Sequence, residues 1–193
     1  MPGTTIRRHP ERDVTDEAPE FLARGVVAHV GFVDGGQPVV IPMTYHASPD
    51  DPAHLYLHGS HDSRLIARLA SGDPVCVAVT LVDGLVYSRT AHDHSVNYRS
   101  VVAFCRASKV QPDRDVQRRM LEAMIARYFP GRTAGVDYEP IPDAHLSATA
   151  FIALDVEAWS AKARRGGPNG PTDHDPDLPG SAGVVELGPQ QRP

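Results

Sequence analysis

The chain has 193 residues, enough for one domain with a substantial core and too few for two ordinary domains. Hydrophobic residues make up 41% and charged residues 22%, both near globular averages, while the net charge of -5 argues against a nucleic-acid partner. No apolar stretch could cross a bilayer and no signal peptide is recognisable, so we expect a cytoplasmic protein without a membrane partner.

The first predicted elements are a polar arm, a short helix and a hairpin. We expect residues 1–18 to form the arm, after which a helix ends at Gly25. Two strands follow, joined by the turn signal Asp34-Gly35-Gly36. Pro38 and Pro42 each remove a ladder donor from the second strand, which confines that strand to an edge, a bulge or a strand end. A backbone freed in this way could lie along a flat ligand.

The next stretch, Leu55 to Leu69, runs from a strand into a helix. Ser60 is the predicted N-cap, and Ser63 and Arg64 would lie beside free backbone N–H groups. Helix starts of this kind can hold a phosphate, although most bind nothing.

The rest of the chain is predicted to close a small barrel. Strands are expected at residues 75–82, 97–110 and 149–159, and an amphipathic helix begins at Pro112-Asp113, with Arg127 and Arg132 as capping cations at its end. The expected fold is mainly β (α+β), a six-stranded antiparallel barrel with flanking helices. The domain limits are 19–162 for the barrel and 163–193 for a Pro/Gly-rich tail.

Metal chemistry receives little support from the sequence. The pairs His58–His61 and His92–His94 lack zinc-site spacing, so no metal site is predicted, although ligation of haem by a single histidine stays open. Cys76 and Cys105 lie in apolar runs and are expected to be buried thiols. Hydrolase and NTPase motifs are absent from the sequence. A basic knot, residues 160–164, follows the last strand and is expected to be either solvated or functional.

Several stretches, in this order, resemble the pyridoxamine 5'-phosphate oxidase-like flavoproteins with an FMN-binding split barrel, and among them the flavin-nucleotide-binding, nitroimidazole-resistance-like branch. They are RHPER at 8–12, GGQPVVIPM at 35–43, LYLHGS at 55–60, VYSR at 86–89, HSVNYRSVV at 94–102, PGR at 130–132 and SAKAR at 160–164.

The resemblance implies a split barrel that forms a homodimer with FMN at the subunit interface. Its cofactor-binding positions fall on Val40, Ile41, Pro42, Met43, His58, Gly59, Ser63, Arg64, Asn97, Tyr98, Arg99, Ser100 and, from the partner chain, Lys162. Met43 and Leu65 stand where the true oxidases have Lys, so fewer cations would face the phosphate, and pyridoxine phosphate oxidation is not expected. Cys105 also stands where the family has Gly.

The implied function is an FMN-dependent oxidoreductase that passes electrons from a nicotinamide to a small nitro, quinone or related electrophile. His58 is the candidate catalytic residue, because a histidine at that strand end could donate a proton to the substrate. Two alternatives stay open. The protein could be a deazaflavin-dependent reductase, or it could bind flavin or haem without turnover.

Overall fold

The computed structural model of the protein describes residues 4–48 and 50–188. The first three residues of the predicted arm, the last five of the predicted tail, and Pro49 in the turn before the third predicted strand lie outside the described residues. The described chain contains α1 (Ala18–Arg24), α2 (Arg64–Ala70), α3 (Arg114–Tyr128), α4 (Asp143–Ala148) and three short 3-10 turns. No helix in these ranges is long and apolar enough to cross a membrane.

The strands form one antiparallel sheet. They are β1 (Val27–Asp34), β2 (Gln37–Thr44), β3 (His46–Ser48), β4 (Asp51–Ser60), β5 (Pro74–Tyr87), β6 (Ser95–Val110), β7 (Thr149–Arg164) and β8 (Gly183–Glu186). Their order is β2-β1-β5-β6-β7-β4-β3, and β8 pairs with β5. This arrangement, with its flanking helices, confirms the predicted mainly β class and is consistent with a split barrel.

The described residues hold eight strands where six were expected. One additional strand, β3, has only three residues, too few for a periodic signal. The other, β8, lies in the Pro/Gly-rich tail, whose composition gave no sign of a strand. The backbone of β8 pairs with β5, so this strand is stabilised by the barrel and not by the tail itself.

The first hairpin follows the turn signal in the sequence. Asp34 pairs with Gln37, and the two residues between them, Gly35 and Gly36, have φ values of 56° and 80°. Such left-handed values suit a tight hairpin turn and favour glycine. As the prolines predicted, β2 is an edge strand.

The core fills the inner side of the sheet. On β5 the inward side chains Val75, Val77 and Val79 are buried and alternate with half-buried or exposed neighbours. The apolar faces of α1 and α2 pack into the same cluster. Cys105 is fully buried there, as predicted, and burial raises its pKa to about 12, whereas Cys76 on the outer side is only half-buried.

The start of α2 differs from the prediction. Ser63, not Ser60, is the N-cap, and its side chain makes no capping hydrogen bond. The Ser60 hydroxyl instead accepts the Asp62 N–H at 3.2 Å, one turn before the helix. By contrast, α3 begins directly after the predicted start at Pro112-Asp113, and the Asp113 carboxylate caps it by accepting the N–H groups of Asp115 and Val116.

The tail docks on the barrel through two side chains. The carboxylate of Asp173 accepts hydrogen bonds from the Ser88 hydroxyl (2.7 Å), the Arg89 N–H (2.9 Å) and the Gly170 N–H (2.7 Å). The guanidinium of Arg89 donates to the carbonyls of residues 178, 179 and 180. The tail is therefore anchored before it reaches β8.

Candidate functional site

The outer side of the sheet carries an uncovered, largely apolar surface that extends from the edge strand β2 across β1, β5, β6 and β7. Val33 and Val40 are each 61% exposed, and the other residues on this side are exposed or half-buried. We call this surface the open face; it comprises Val27, His29, Gly31, Val33, Pro38, Val40, Pro42, Thr44, Cys76, Ala78, Thr80, Tyr98, Ser100, Val102, Phe104, Ser160 and Lys162. An exposed apolar patch of this kind typically marks a ligand or protein interface.

A groove crosses one end of the open face. Its volume is about 740 Å³, and its lining includes Pro38, Val40, Cys76 and Phe104. The register places Val40 opposite Gly31, and Gly31 opposite Cys76, so one row of small and apolar residues runs across three strands. A flat apolar group could lie along this row.

The opposite end of the open face is basic. Ser100 pairs with Thr80 on one side and with Lys162 on the other. The Lys162 ammonium donates to the backbone carbonyl of Arg8 at 2.6 Å, which ties the N-terminal arm to β7. Five of the thirteen predicted cofactor residues thus lie on the open face: Val40, Pro42, Tyr98, Ser100 and Lys162.

A second group of predicted residues lies at the junction of β2, β4 and α2. Ile41 and Met43 point inward and pack against the core. A Cβ built on Gly59 would lie 3.7 Å from Met43 Cε and 3.3 Å from Ile66 Cγ1. The side chains of Met43 and Ile66 therefore pack beside Gly59, which is itself half-exposed.

The predicted phosphate grip on α2 lies beside a carboxylate. Arg64 Nε lies 3.6 Å from an oxygen of Asp34, a carboxylate that also binds Arg68 at 2.5 Å. Arg64 therefore has a nearby anion that offsets its charge. With seven residues and no side-chain cap at Ser63, α2 adds little to hold a phosphate.

Arg99 does not face the predicted phosphate. It alternates with Ser100 and lies on the other side of β6, where its Nη2 and Nε bind the two oxygens of Asp83 at 2.5 and 2.9 Å. Hydrogen bonding to Asp83 raises the pKa of Arg99, and the guanidinium also lies 5.8 Å from the ring centre of Phe21. This bidentate pairing makes Arg99 a structural residue.

Asn97 is also held in a structural network. Its side-chain oxygen accepts from Arg164 at 2.5 Å, and its amide donates to the carbonyl of Gly166 at 3.0 Å. Arg164 further donates to the carbonyl of Gly167 at 3.1 Å. These bonds fix the chain where it leaves β7.

The sequence analysis missed a basic cleft beside Lys162. It has a volume of about 420 Å³, and its lining includes Arg12, Arg164 and Arg165, with Glu11 as the acidic member. Arg165 also forms an ion pair with Glu17. The basic knot at 160–164 was the sequence signal for one wall of this cleft. The other wall, with Arg12, comes from the N-terminal arm, which reaches β7 through tertiary contacts such as the bridge between Asp13 and Lys162.

His58 lies away from the junction at Gly59. Successive residues of a strand point to opposite sides, so His58 shares the outer side of β4 with Tyr56, whereas Leu57 faces the core. Its ring stacks on Phe151, 5.9 Å between centroids, and its buried Nδ1 has no hydrogen-bond partner in the described structure. Burial lowers the pKa of His58. The catalytic role predicted for it stays a prediction, and this position does not bring it to the open face.

A separate cavity lies between β3, β4 and α3. It encloses about 540 Å³, and we call it the α3 cavity; its lining includes His46, His54, Tyr56, Arg119, Met120 and Ala123. At its rim Asp51 accepts from the Tyr56 hydroxyl at 2.8 Å and lies 2.7 Å from His54 Nδ1. The other candidate haem ligands from the sequence, His61, His92 and His94, are exposed.

A mainly antiparallel sheet wrapped on a core, with flanking helices, is consistent with the split-barrel class of proteins. The family model described as pyridoxamine 5'-phosphate oxidase matches residues 15–163, most of the chain. The chain therefore belongs to this family, which confirms the resemblance found in the sequence. Among curated proteins, none matches the chain.

Solved structures support the same assignment. The structure of a protein from Mycobacterium smegmatis described as binding FAD and haem is 33% identical and has a TM-score of 0.78, covering 91% of this chain and 84% of that one. The flavocytochrome Anf3 from Azotobacter vinelandii is 29% identical, with a TM-score of 0.83, covering 98% of this chain and 86% of that one. A protein assigned to 5-nitroimidazole antibiotic resistance in Bacteroides thetaiotaomicron, 20% identical with a TM-score of 0.62 over 76% of this chain and 82% of that one, shares the fold.

Proposed function

We propose that the protein is a flavin-dependent redox protein whose flavin lies on the open face. The observation that carries this proposal is the open face itself, a flat apolar sheet surface that ends at Lys162 and the basic cleft. A flavin needs these two surfaces, because its ring system is flat and largely apolar whereas its phosphate is anionic. The relative from Mycobacterium smegmatis, described as binding FAD and haem, adds independent support.

The residues present fit such a cofactor. Val102 and Ala78 offer an apolar floor for the ring, and beside them lies the Ser100 hydroxyl, which donates to the carbonyl of Lys162 at 3.3 Å. Lys162 and Arg12 would hold the phosphate, because charge-assisted hydrogen bonds to phosphate oxygens are the strong ones. FMN is the form implied by the sequence resemblance, but the relative from Mycobacterium smegmatis is described as binding FAD, which favours FAD.

We also propose that the protein is a homodimer in which a second copy covers the open face. Val33 and Val40 on this face would be unfavourable to leave in water, and burying them against a partner removes that cost. In the described part of the chain, the inner side of the sheet is filled by the core. A second copy would therefore complete the cofactor site as well as the interface.

A bound flavin supplies hydride and electron transfer, and the protein supplies orientation and electrostatics. In this account the open face holds the ring and excludes water from one side of it, while Lys162 stabilises the anionic end. Electrons would come from a reduced nicotinamide and pass to a nitro, quinone or related electrophile. If the protein binds flavin but does not oxidise a reduced nicotinamide in the presence of such acceptors, it would instead be a flavin carrier or sensor.

The Lys162→Ala variant tests the proposed phosphate contact. Loss of one charge-assisted hydrogen bond should weaken flavin binding about tenfold to 100-fold in a fluorescence titration of the apoprotein. Arg132→Ala is the matched control, because it removes the same charge from a loop whose side chain binds the carbonyl of Asp137. Equal affinities for both variants would show that Lys162 does not hold the phosphate.

A further inference from the structure

The open face carries one histidine, His29 on β1. Its side chain is exposed and lies on the same side of the sheet as Gly31 and Val33, because alternate residues of a strand point to the same side. The chain has ten histidines, all within the described residues, and the others lie outside the open face. An imidazole can hold or release a proton near neutral pH, so His29 brings proton chemistry to a largely apolar surface.

Strand pairing places His29 beside the proposed floor of the flavin ring. His29 lies opposite Pro42 on β2 and opposite Ala78 on β5, and Ala78 lies opposite Val102 on β6. Directly opposed residues of an antiparallel pair have Cβ atoms about 5 Å apart, so the His29 imidazole can reach the space above Ala78. This inference rests on the proposed function, which places the flavin ring on Ala78 and Val102.

The groove on the open face begins one row of side chains beyond His29. Gly31 lies opposite Val40 and Cys76, and Gly31 follows His29 by two residues, a rise of about 7 Å along the strand. Because Gly31 has no side chain, nothing on β1 separates the histidine from the groove. The groove has a volume of about 740 Å³ and a mainly apolar lining, which suits a small flat molecule such as a quinone.

The other polar hydrogens of the open face are less suited to proton donation. The Lys162 ammonium donates to the carbonyl of Arg8, and the Ser100 hydroxyl donates to the carbonyl of Lys162. Burial raises the pKa of Cys76, which keeps its thiol protonated. Tyr98 lies four residues before Val102 on β6, about 14 Å along the strand.

No charged side chain flanks His29 on the described strands beside it. The outward residues of β2 and β5 next to it are neutral; they are Val40, Pro42, Thr44, Cys76, Ala78 and Thr80. The protonation of His29 is therefore set by solvent and by whatever binds on the open face.

We infer that His29 is a catalytic residue that donates a proton to a quinone bound in the groove. A quinone takes up two electrons and two protons when it becomes a hydroquinone. A hydride, drawn from the reduced nicotinamide of the proposed function, carries both electrons and one proton, so a second proton must reach an oxygen of the quinone. The His29 imidazolium supplies that proton, and the neutral imidazole then takes up a proton from water.

Nuclear magnetic resonance tests the position of His29 without turnover. In protein with isotope-labelled histidine, the imidazole signal that is missing from His29→Gln belongs to His29. Addition of FAD, or of FMN where the protein takes up only that form, should shift this signal, because an aromatic ring then lies beside it. The signal of His145, which is exposed on α4, should stay unchanged. A His29 signal that bound flavin does not shift would overturn the inference.

The reaction of the reduced, flavin-loaded protein with the quinone menadione tests the proton transfer. In anaerobic stopped flow, the wild-type rate should fall as the pH rises and the imidazolium is lost. His29→Gln should react at least about 100-fold more slowly and lack this pH dependence, since general acid catalysis typically contributes that much. His145→Gln is the matched control and should react like wild type. Added imidazole should restore part of the rate of His29→Ala, which shows that the variant is folded.

The flavin content of each sample separates the two possible failures. A flavin-loaded His29→Gln that reduces menadione as fast as wild type would overturn the role of His29 and leave the flavin proposal intact. A wild-type protein that takes up neither FAD nor FMN would overturn the proposed function, and the role of His29 with it.

Discussion

At the residue scale, Arg127 does not only lie at the end of α3, where it was predicted to cap the helix, but also bonds to other elements of the fold. Its guanidinium donates to the carbonyls of Ala23 (3.0 Å), Gly25 and Tyr45 (2.5 Å), and it lies 4.7 Å from the ring centre of Tyr45. The end of α3 is thereby joined to the end of α1 and the start of β3. The predicted capping function is replaced by bonds to other elements.

Arg127→Lys should therefore destabilise the protein. A lysine keeps the charge but loses the planar fork, so several carbonyls lose their donors, and we expect a loss of about 2–4 kcal/mol in the free energy of unfolding. Urea unfolding followed by circular dichroism measures it. Arg24→Lys is the control, because Arg24 forms an exposed pair with Glu20 and should cost less than about 0.5 kcal/mol. Similar losses for both variants would contradict the account.

Residue types were easier to predict than the side of the strand on which each residue lies. The sequence placed Arg99 and Ser100 in one site because they are adjacent, yet adjacent strand residues point to opposite sides. Arg99 pairs with Asp83 across the hairpin, and Ser100 stays on the open face. The side follows from the pairing of Ser100 with Thr80 and Lys162, and pairing between distant strands is not marked by any local pattern in the sequence.

At the element scale, the Asp173 carboxylate is one of the two groups that anchor the C-terminal tail to the barrel. Burial alone would raise the pKa of Asp173, but hydrogen bonds from the Arg89 N–H, the Ser88 hydroxyl and the Gly170 N–H lower it overall. These bonds favour the ionised form, so the docking they provide is present above the ordinary aspartate pKa of about 3.9 and is lost as the pH falls below it.

Asp173→Asn should release the tail at neutral pH, because an amide offers one acceptor oxygen where the carboxylate offers two. Amide hydrogen exchange in β8, Gly183–Glu186, should become faster than in wild type, while exchange in β6 stays unchanged. Asp175→Asn is the control, since the Asp175 carboxylate accepts only the local N–H of Asp177. If both variants leave exchange in β8 unchanged, Asp173 does not anchor the tail.

Elements with strong local signals were predicted well. The hairpin at Gly35-Gly36, the edge strand β2 and the Asp113-capped helix α3 each follow from a few neighbouring residues. The α3 cavity and the basic cleft could not be predicted, because each forms between segments far apart in sequence. Arg12 and Arg165, for example, meet only after the arm has docked on β7.

At the scale of the whole molecule, the open face should hold two copies together. Val40→Glu places a charge at an exposed position of this face, and burying that charge without a partner would cost several kcal/mol in the dimer. Light scattering should report a monomer for this variant and a dimer for wild type. Val136→Glu, at a loop residue that is 82% exposed, should remain dimeric. A wild-type monomer, or a dimeric Val40→Glu, would contradict this assembly.

The central claim is that the open face binds a flavin, and an absorption spectrum of the purified protein with chromatography of the released cofactor tests it most directly. We expect the two absorption bands of a flavin, with FAD released on denaturation; release of FMN would keep the flavin proposal and correct the cofactor form. A Soret band in addition would show that the protein also binds haem. A colourless protein that takes up neither added FMN nor added FAD would contradict the account.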